Sequence, residues 1–426
     1  MRWLNISHRI NLWIRYFDHK DLKRLSLLIE NGHVIDVREG FEKFGETDLF
    51  FDLSRGVALP GFIDIHTHVR GLELSYKEDE RSGTMAAAKG GFTMIIDMPN
   101  TRPRVDNIDV LKNKLKAFER NSFTEYGIWI ALPKEESEAI EMMRFSKVYG
   151  LKIYPEDYER LEKYDKEILR KVPRIMIHAE DPENISESCE KGYRWRCRPI
   201  DAEIKALERI HRVLGSRDGV NITHVTNLYT AYVAKKLGYS TDTCPHYLLL
   251  DSDDERRLGC VAKVNPPLRT KYVREHLLEN LVSSESLIDM MSTDHAPHTF
   301  EEKNRDFSEC PSGISSIEFV SSLMLDLVNK NVLSLGRLIN LFSIGPAKFL
   351  GLDLYGCVKP GCRANYTIID LDKETVVRSS QMISKSKNTP YENMRLKGSV
   401  YATVVRGVPV YLNDSFADPR DYEVAL

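Results

Sequence analysis

The chain has 426 residues, 42% of them hydrophobic and 29% charged, which suits a folded globular protein with room for a full barrel and a smaller second domain. Its 60 basic and 63 acidic residues give a formal net charge of −3 without long single-sign blocks, so no electrostatic footprint for nucleic acid is present. No apolar run reaches the roughly 18 residues of a membrane span, and a soluble, cytoplasmic protein is expected.

Residues 1–24, MRWLNISHRINLWIRYFDHKDLKR, are basic and aromatic, with no continuous apolar core and no small-residue cleavage site, which argues against a secretory signal. They read as a short extension packed against its own protein, the alternative being an amphipathic helix lying on a surface. Organised structure is expected to begin at LSLLIENGHVIDV, where Asn31-Gly32 marks a hairpin turn, followed by FDLSRGVALP. After Pro60 short apolar runs alternate with helical patterns. Strands are predicted over 62–65, 93–98, 126–131, 151–154, 175–178, 221–224, 240–244 and 287–292. Amphipathic helices are predicted over 110–120, 135–147, 201–214 and 228–237. Eight strands separated by helices predict parallel βα units closed into a (β/α)₈ TIM-like barrel over 60–354, an α/β fold. From about Tyr355 the pattern is β again, and residues 25–59 and 355–426 are expected to pair into one small β-sandwich domain. The seven cysteines (Cys189, Cys197, Cys244, Cys260, Cys310, Cys357, Cys362) form no C-x-x-C pair and leave one over. They read as reduced thiols of a cytosolic enzyme.

In such a barrel the C-terminal strand ends converge on one mouth, where active sites are found. The predicted strand ends here carry His66 and His68 (HTHVR), Asn100, Lys152, His178, His224 and Asp294. The i, i+2 spacing of His66 and His68 on an extended segment points both the same way. Imidazole and carboxylate are ligands for zinc, manganese or a similar divalent ion. Each residue alone has a plainer explanation: a hydrogen-bonded histidine, a snorkelling lysine in GLKIY. Together they point to a metal site, because burying several titratable groups without one would cost many kcal/mol.

The motifs PGFIDIHTHVR, KEDERSGTMAAAKGGFT, IDMPNTRP, GLKIY, IMIHAED, NITHVT, TCPHYLLL, KVNPPLR and STDHAPH occur in this order, and with them the chain resembles the dihydroorotases from about Leu25 to Val410. H-x-H with a strand-end Asp is shared across the amidohydrolases; HxHxR, MPNT, VNPPLR and TDHAPH together are much more specific. The resemblance implies two zinc ions per subunit, one on His66, His68 and Asp294 and a second on His178 and His224, bridged by hydroxide and a carboxylated Lys152. Two dications with a carbamate, an aspartate and a hydroxide leave a net charge near +1, which suits an anionic substrate. Arg70, Asn100, Asn265 and His298 match the family's binding residues for the substrate carboxylate, which a guanidinium can fork in two parallel hydrogen bonds. A turn-forming role for Asn265, before Pro266-Pro267, stands equally open. Arg269 reads as structural.

The implied reaction is the reversible cyclisation of N-carbamoyl-L-aspartate to L-dihydroorotate in pyrimidine biosynthesis. The metal-bridging hydroxide would attack the ring amide, with Asp294 as general acid/base. Several positions depart from the family. GLELSY replaces an E-P-G-like stretch after HxHxR, and ANYTIID replaces a more usual A-D-L pattern. PEDYERLEK (155–163) lies where a mobile loop closes over substrate; it lacks the usual threonine, with Tyr158 as the closing residue in its place. Asp242 stands for a common glutamate and is assigned no role. Two other readings compete: an allantoinase or hydantoinase, which Arg70 with Asn100 argues against, and an inactive partner-subunit homologue, which the complete ligand set argues against. A dihydroorotase can associate with aspartate transcarbamoylase or with copies of itself; the sequence shows neither interface.

Overall fold

In the computed structural model, which describes residues 8–18, 20–186 and 188–418, the first strand is β1, Ile10–Phe17. Ile10, Leu12, Ile14 and Tyr16 point to one face and are buried, the period of two expected of a half-buried strand. Organised structure therefore starts well before Leu25, and residues 10–17 and 22–24 of the expected extension belong to a sheet. Its arginine and aromatics on the alternate positions hide the pattern. Residues 1–7, and 419–426 at the other end, lie outside the described residues.

Strand β1 pairs antiparallel with β2 (Leu22–Glu30), which turns through Asn31 and Gly32, both at positive φ, into β3 (His33–Glu39). The short β4 (Leu49–Asp52) and β5 (Val57–Pro60) run parallel to β1 on its other side. The chain then enters the barrel. Its strands are β6 (Phe62–Thr67), β7 (Phe92–Asp97), β8 (Glu125–Ala131), β9 (Val148–Ile153), β10 (Ile175–Ile177), β11 (Val220–Ile222), β12 (Ser240–Thr243) and β13 (Met290–Met291). Each pairs in parallel with the next, in chain order. Most of these strands are apolar runs buried on both faces, as parallel strands covered by helices must be, β12 being the polar exception. Closure comes just past β13: His68 N–H donates to the His295 carbonyl at 2.8 Å, and Asp64 accepts from the Thr293 N–H at 3.1 Å. Ile63, Ile65, Met94, Ile96, Trp129, Met176 and Met290 plug the barrel's inside, and Trp129 pins the plug by donating to the Ile65 carbonyl.

Several connecting helices are capped by a side chain at their start. Asp79 caps Glu80–Lys89 in a capping box with Ser82, Asn107 caps Ile108–Asn121, and Asn227 caps Leu228–Lys236. After the barrel the chain adds β14 (Tyr366–Val376), β15 (Arg395–Val405), β16 (Val408–Leu412) and β17 (Ser415–Phe416) to the first sheet, β14 docking antiparallel on β5. Both terminal segments thus share one nine-stranded mixed sheet. It folds over a single core in which Ile10 and Ile29 meet Val404 and Val408. A Cβ on Gly407, in the β15–β16 turn at φ +90, would strike Ile29 at 2.9 Å.

The cysteines overturn their expected reduced state. Six pair as Cys189–Cys197, Cys260–Cys310 and Cys357–Cys362, and buried Cys244 is free. The fold, not a spacing motif, brings the partners together. Among the described residues no helix is long and apolar enough to cross a membrane.

Candidate metal centre

His66 and His68 leave β6 on the same side, and Asp294 reaches them from the turn after β13. The ring Nε2 atoms lie 3.2 Å apart, and Asp294 Oδ1 is 3.3 Å from His66 Nε2 and 3.1 Å from His68 Nε2. The far side of each ring fixes its tautomer. His68 Nδ1 faces Asn100 Oδ1 at 2.7 Å, an acceptor only, so it carries the proton. His66 Nδ1 faces Thr223 Oγ1 at 2.7 Å, and that hydroxyl is already donating to Asp242. Both Nε2 lone pairs are therefore bare and aim, with a carboxylate oxygen, at one point. Burial keeps both imidazoles below their ordinary pKa, so they stay neutral as ligands must. Two lone pairs and an anion facing one another in a buried site repel unless a cation sits among them, so the donor set fits a divalent metal.

Three further predicted ligands surround this trio. The His224 ring centroid is 5.2 Å from that of His66 and 4.5 Å from that of His178. Burial pushes His224 well below its usual pKa, and its Nδ1 finds no hydrogen-bond partner. His178 Nε2 donates to Glu180 Oε2 at 2.7 Å, and Arg198 forks onto the same carboxylate. Burial alone would raise Glu180; its bonds from His178 and Arg198 outweigh it and hold the carboxyl at about 2. A fixed anion behind His178 orients its ring and leaves Nδ1 for a ligand. Lys152, in β9, is fully buried, its amine has no hydrogen-bond partner, and burial pulls its pKa down to about 7.

His66, His68, His178, His224 and Asp294 open into a cavity of about 530 Å³ that is lined also by Arg70, Asn100, Asn265 and His298, so all the residues predicted for substrate meet there. Arg70 is buried. Its Nε donates to the Pro297 carbonyl at 3.3 Å, and its Nη2 lies 3.3 Å from His298 Nε2. Among the described residues no carboxylate is within ion-pair distance of it. His298 Nε2 donates to the Ser312 carbonyl and Nδ1 faces the Lys77 amine, which leaves no acceptor there for Arg70. Burial, with Arg70 and two lysines near, keeps His298 far below its ordinary pKa. Asn100 spends its oxygen on His68, so only its N–H groups remain for a ligand. Asn265 accepts from Arg194 and from Ser312 Oγ, so it holds the wall as well as lining it. Arg269 is structural, buried on Glu203, Thr226 and the Arg198 carbonyl.

Three of these site residues, Arg70, His224 and Asp294, are non-glycine residues at φ 62, 44 and 45. Such backbone costs of order 1–3 kcal/mol each and concentrates where function over-determines geometry. Asp242, given no role from sequence, holds one of them in place. Buried beneath the site, it accepts from the His224 N–H at 3.0 Å, Thr223 Oγ1, Asn221 and Ser292, though burial still raises its pKa. The short runs N-I-T-H and S-T-D-T are the signal: polar residues alternating inside a buried strand need partners. The segment 155–163 borders the cavity through Pro155 and Glu156, but Tyr158 does not line it. It folds as a short turn, Pro155–Asp157, and the helix Tyr158–Lys163, and Tyr158 is buried with its hydroxyl on the His178 carbonyl at 2.5 Å. Tyr154, which the sequence reading passed over, lines the cavity with an unpartnered hydroxyl.

The amidohydrolase family model matches residues 57–410. The dihydroorotase of Sulfurisphaera tokodaii is 38% identical over 350 residues, covering 82% of each chain. That of Thermococcus kodakarensis is 31% identical over 419 residues, covering 96% of each. Among solved structures, the L-hydantoinase of Arthrobacter aurescens superposes with a TM-score of 0.86 at 24% identity, covering 96% of this chain and 98% of that one. That likeness bears on the fold.

Proposed function

Since the chain belongs to the amidohydrolase family, and within it to the dihydroorotases, we propose that it interconverts N-carbamoyl-L-aspartate and L-dihydroorotate in pyrimidine (UMP) biosynthesis. The observation that carries the substrate is Arg70: a buried guanidinium with no carboxylate of its own, opening into the cavity of the metal ligands. A buried, unpaired cation is costly, and a carboxylate-bearing ligand relieves it in a way that neutral allantoin or hydantoin does not.

His66, His68 and Asp294 would hold one zinc ion, His178 and His224 a second, with Lys152 between them. The amine of Lys152, buried and partly neutral near pH 7, attacks carbon dioxide, forms an N–C bond and loses a proton; the product is an anionic carbamate with two oxygen donors. Bound metal supplies Lewis-acid polarisation of the ring amide carbonyl and a water of lowered pKa. Asp294 takes a proton from the attacking water and hands it to the leaving ring nitrogen. Arg70, with the Asn100 N–H groups and the wall at Asn265 and His298, fixes the ring carboxylate and hence the carbonyl's position. Ring closure runs the same transfers backward, expelling water and consuming one proton, so lower pH favours it. The cytoplasmic location has the three disulfides against it, since such bonds are rare in cytosolic proteins outside hyperthermophiles.

The test follows ultraviolet loss of L-dihydroorotate by zinc-loaded protein, with allantoin and hydantoin in parallel and Arg70→Ala as control. Turnover of dihydroorotate alone, lost in the variant, is expected. Turnover of a neutral ureide instead would overturn the role of Arg70. No turnover of any, in protein holding two metals, would favour a partner-subunit role, for instance beside aspartate transcarbamoylase.

A further inference from the structure

Opposite the histidines, the cavity wall is built from two segments that belong to no strand: Val264 and Asn265 on one, Ser312 and Gly313 on the other. Loops of this kind owe their position to whatever ties them together. At the surface of the wall the ties are slight. Gly313 N–H donates to the Lys263 carbonyl at 2.8 Å and Ser312 Oγ to Asn265 Oδ1 at 3.2 Å. Behind it they are dense. Cys260, four residues before Val264, is disulfide-bonded to Cys310, two residues before Ser312. Lys263 Nζ donates to the carbonyls of Phe307 and Cys310, both at 2.7 Å. Lys303 Nζ returns the favour from the other segment, donating to the carbonyls of Cys260 at 2.8 Å and Pro311 at 2.9 Å. Both cysteines and both lysines are buried.

We propose that the Cys260–Cys310 disulfide, crossed by the Lys263 and Lys303 amines, is a clasp that positions the carboxylate-binding wall of the cavity. The Ser312 carbonyl that the clasp places accepts from His298 Nε2, and His298 stands 3.3 Å from Arg70. A shift at Cys310 therefore reaches the guanidinium through Pro311, Ser312 and His298. His66, His68, Lys152, His178 and His224 are anchored on or at the ends of β6, β9, β10 and β11, and only Asp294 lies near the clasped segment, through the Ala296 N–H bond to the Ile314 carbonyl at 2.9 Å, so the clasp bears chiefly on substrate binding. The lysines suit this task because an amine whose N–H groups reach two carbonyls is directional in a way that apolar packing is not. These are positioning residues; none of the four lines the cavity.

The inference rests on the proposed dihydroorotate reading for its kinetic arm but not for its structural arm. The test compares zinc-loaded wild type with the double variant Cys260→Ser/Cys310→Ser and, as control, Cys357→Ser/Cys362→Ser, whose disulfide lies in the β domain. For the first pair KM for L-dihydroorotate is expected to rise at least fivefold with kcat within twofold. Amide hydrogen exchange at Cys310 and Gly313 should accelerate at least tenfold, and the control should match wild type in both. Should the double variant fold poorly, Lys303→Met carries the same expectation at about threefold in KM. Unchanged KM and unchanged exchange at 310–313, or an equal fall in kcat and kcat/KM, would overturn the clasp. Faster exchange in a protein whose wild type does not turn over dihydroorotate would uphold the clasp and sink the substrate assignment instead.

Discussion

At the N-terminal ends of β10–β13 lies a groove of about 920 Å³, against about 530 Å³ at the opposite mouth. The larger space is the quieter one chemically. Lys235 there is bound by both oxygens of Asp289, and Arg337 donates to the carbonyls of Leu281 and Ile288 and to Ser286 Oγ. At the mouth the polar groups are unresolved: two bare imidazole nitrogens facing a carboxylate, an amine without an acceptor, and a guanidinium without an anion. Three residues there are also held at positive φ. Polar groups left unsatisfied and backbone left strained are the marks of a site; volume is not.

The sharpest way to break this contrast is Asp294→Ala. Activity should fall by about 10⁴-fold or more with the circular dichroism spectrum unchanged, since the residue is both ligand and proton carrier. Activity near wild type would reduce the trio to ordinary buried residues. Arg70→Ala should lower kcat/KM for dihydroorotate about 10²-fold, near 3 kcal/mol, mostly through KM. At the other end Arg337→Ala should leave kcat/KM unchanged and cost about 2 kcal/mol in urea unfolding, because three partners lose their donor. A kinetic effect there would mean that the groove matters to catalysis. The smallest effect separates an unpartnered group that belongs to the site from one that does not. His246 is buried near the mouth, neither ring nitrogen has a partner, and burial pushes its pKa down to about 4. The unfolded chain binds its proton near pH 6.5, before the folded one does, so stability is full above pH 6.5 and declines as pH falls toward 4. His246→Phe should remove roughly 2 kcal/mol of that decline, read as a flatter urea midpoint between pH 6.5 and 4.5, with little change in turnover at pH 7.

The barrel was legible because its strands are apolar runs of the right length at βα spacing, and their ends carry residues too polar to bury idly. His66, His68, His178, His224 and Asp294 could be placed from position alone. What the sequence hid lies where contacts are long-range. Strand β1 was masked by arginine and aromatics on its outward positions, although Ile10, Leu12, Ile14 and Tyr16 keep the period of two. Asp242 makes sense only once Asn221, Thr223 and Ser292 surround it. The disulfides join cysteines 8, 50 and 5 residues apart, and spacing says nothing about which of them meet. Tyr158 misled because its segment was matched to a mobile loop elsewhere, whereas here a helix buries it against His178. Asn365, in the departing ANYTIID stretch, turns out to join the two domains by donating to Glu125 and accepting from the Arg406 N–H.

Elemental analysis of zinc-loaded, desalted protein tests the proposal of two metals held at the mouth by six side chains. Two zinc ions per chain in wild type, one in His178→Ala/His224→Ala and loss of L-dihydroorotate turnover in that variant are the predicted results. One ion per chain in both proteins, with turnover retained, would contradict the account.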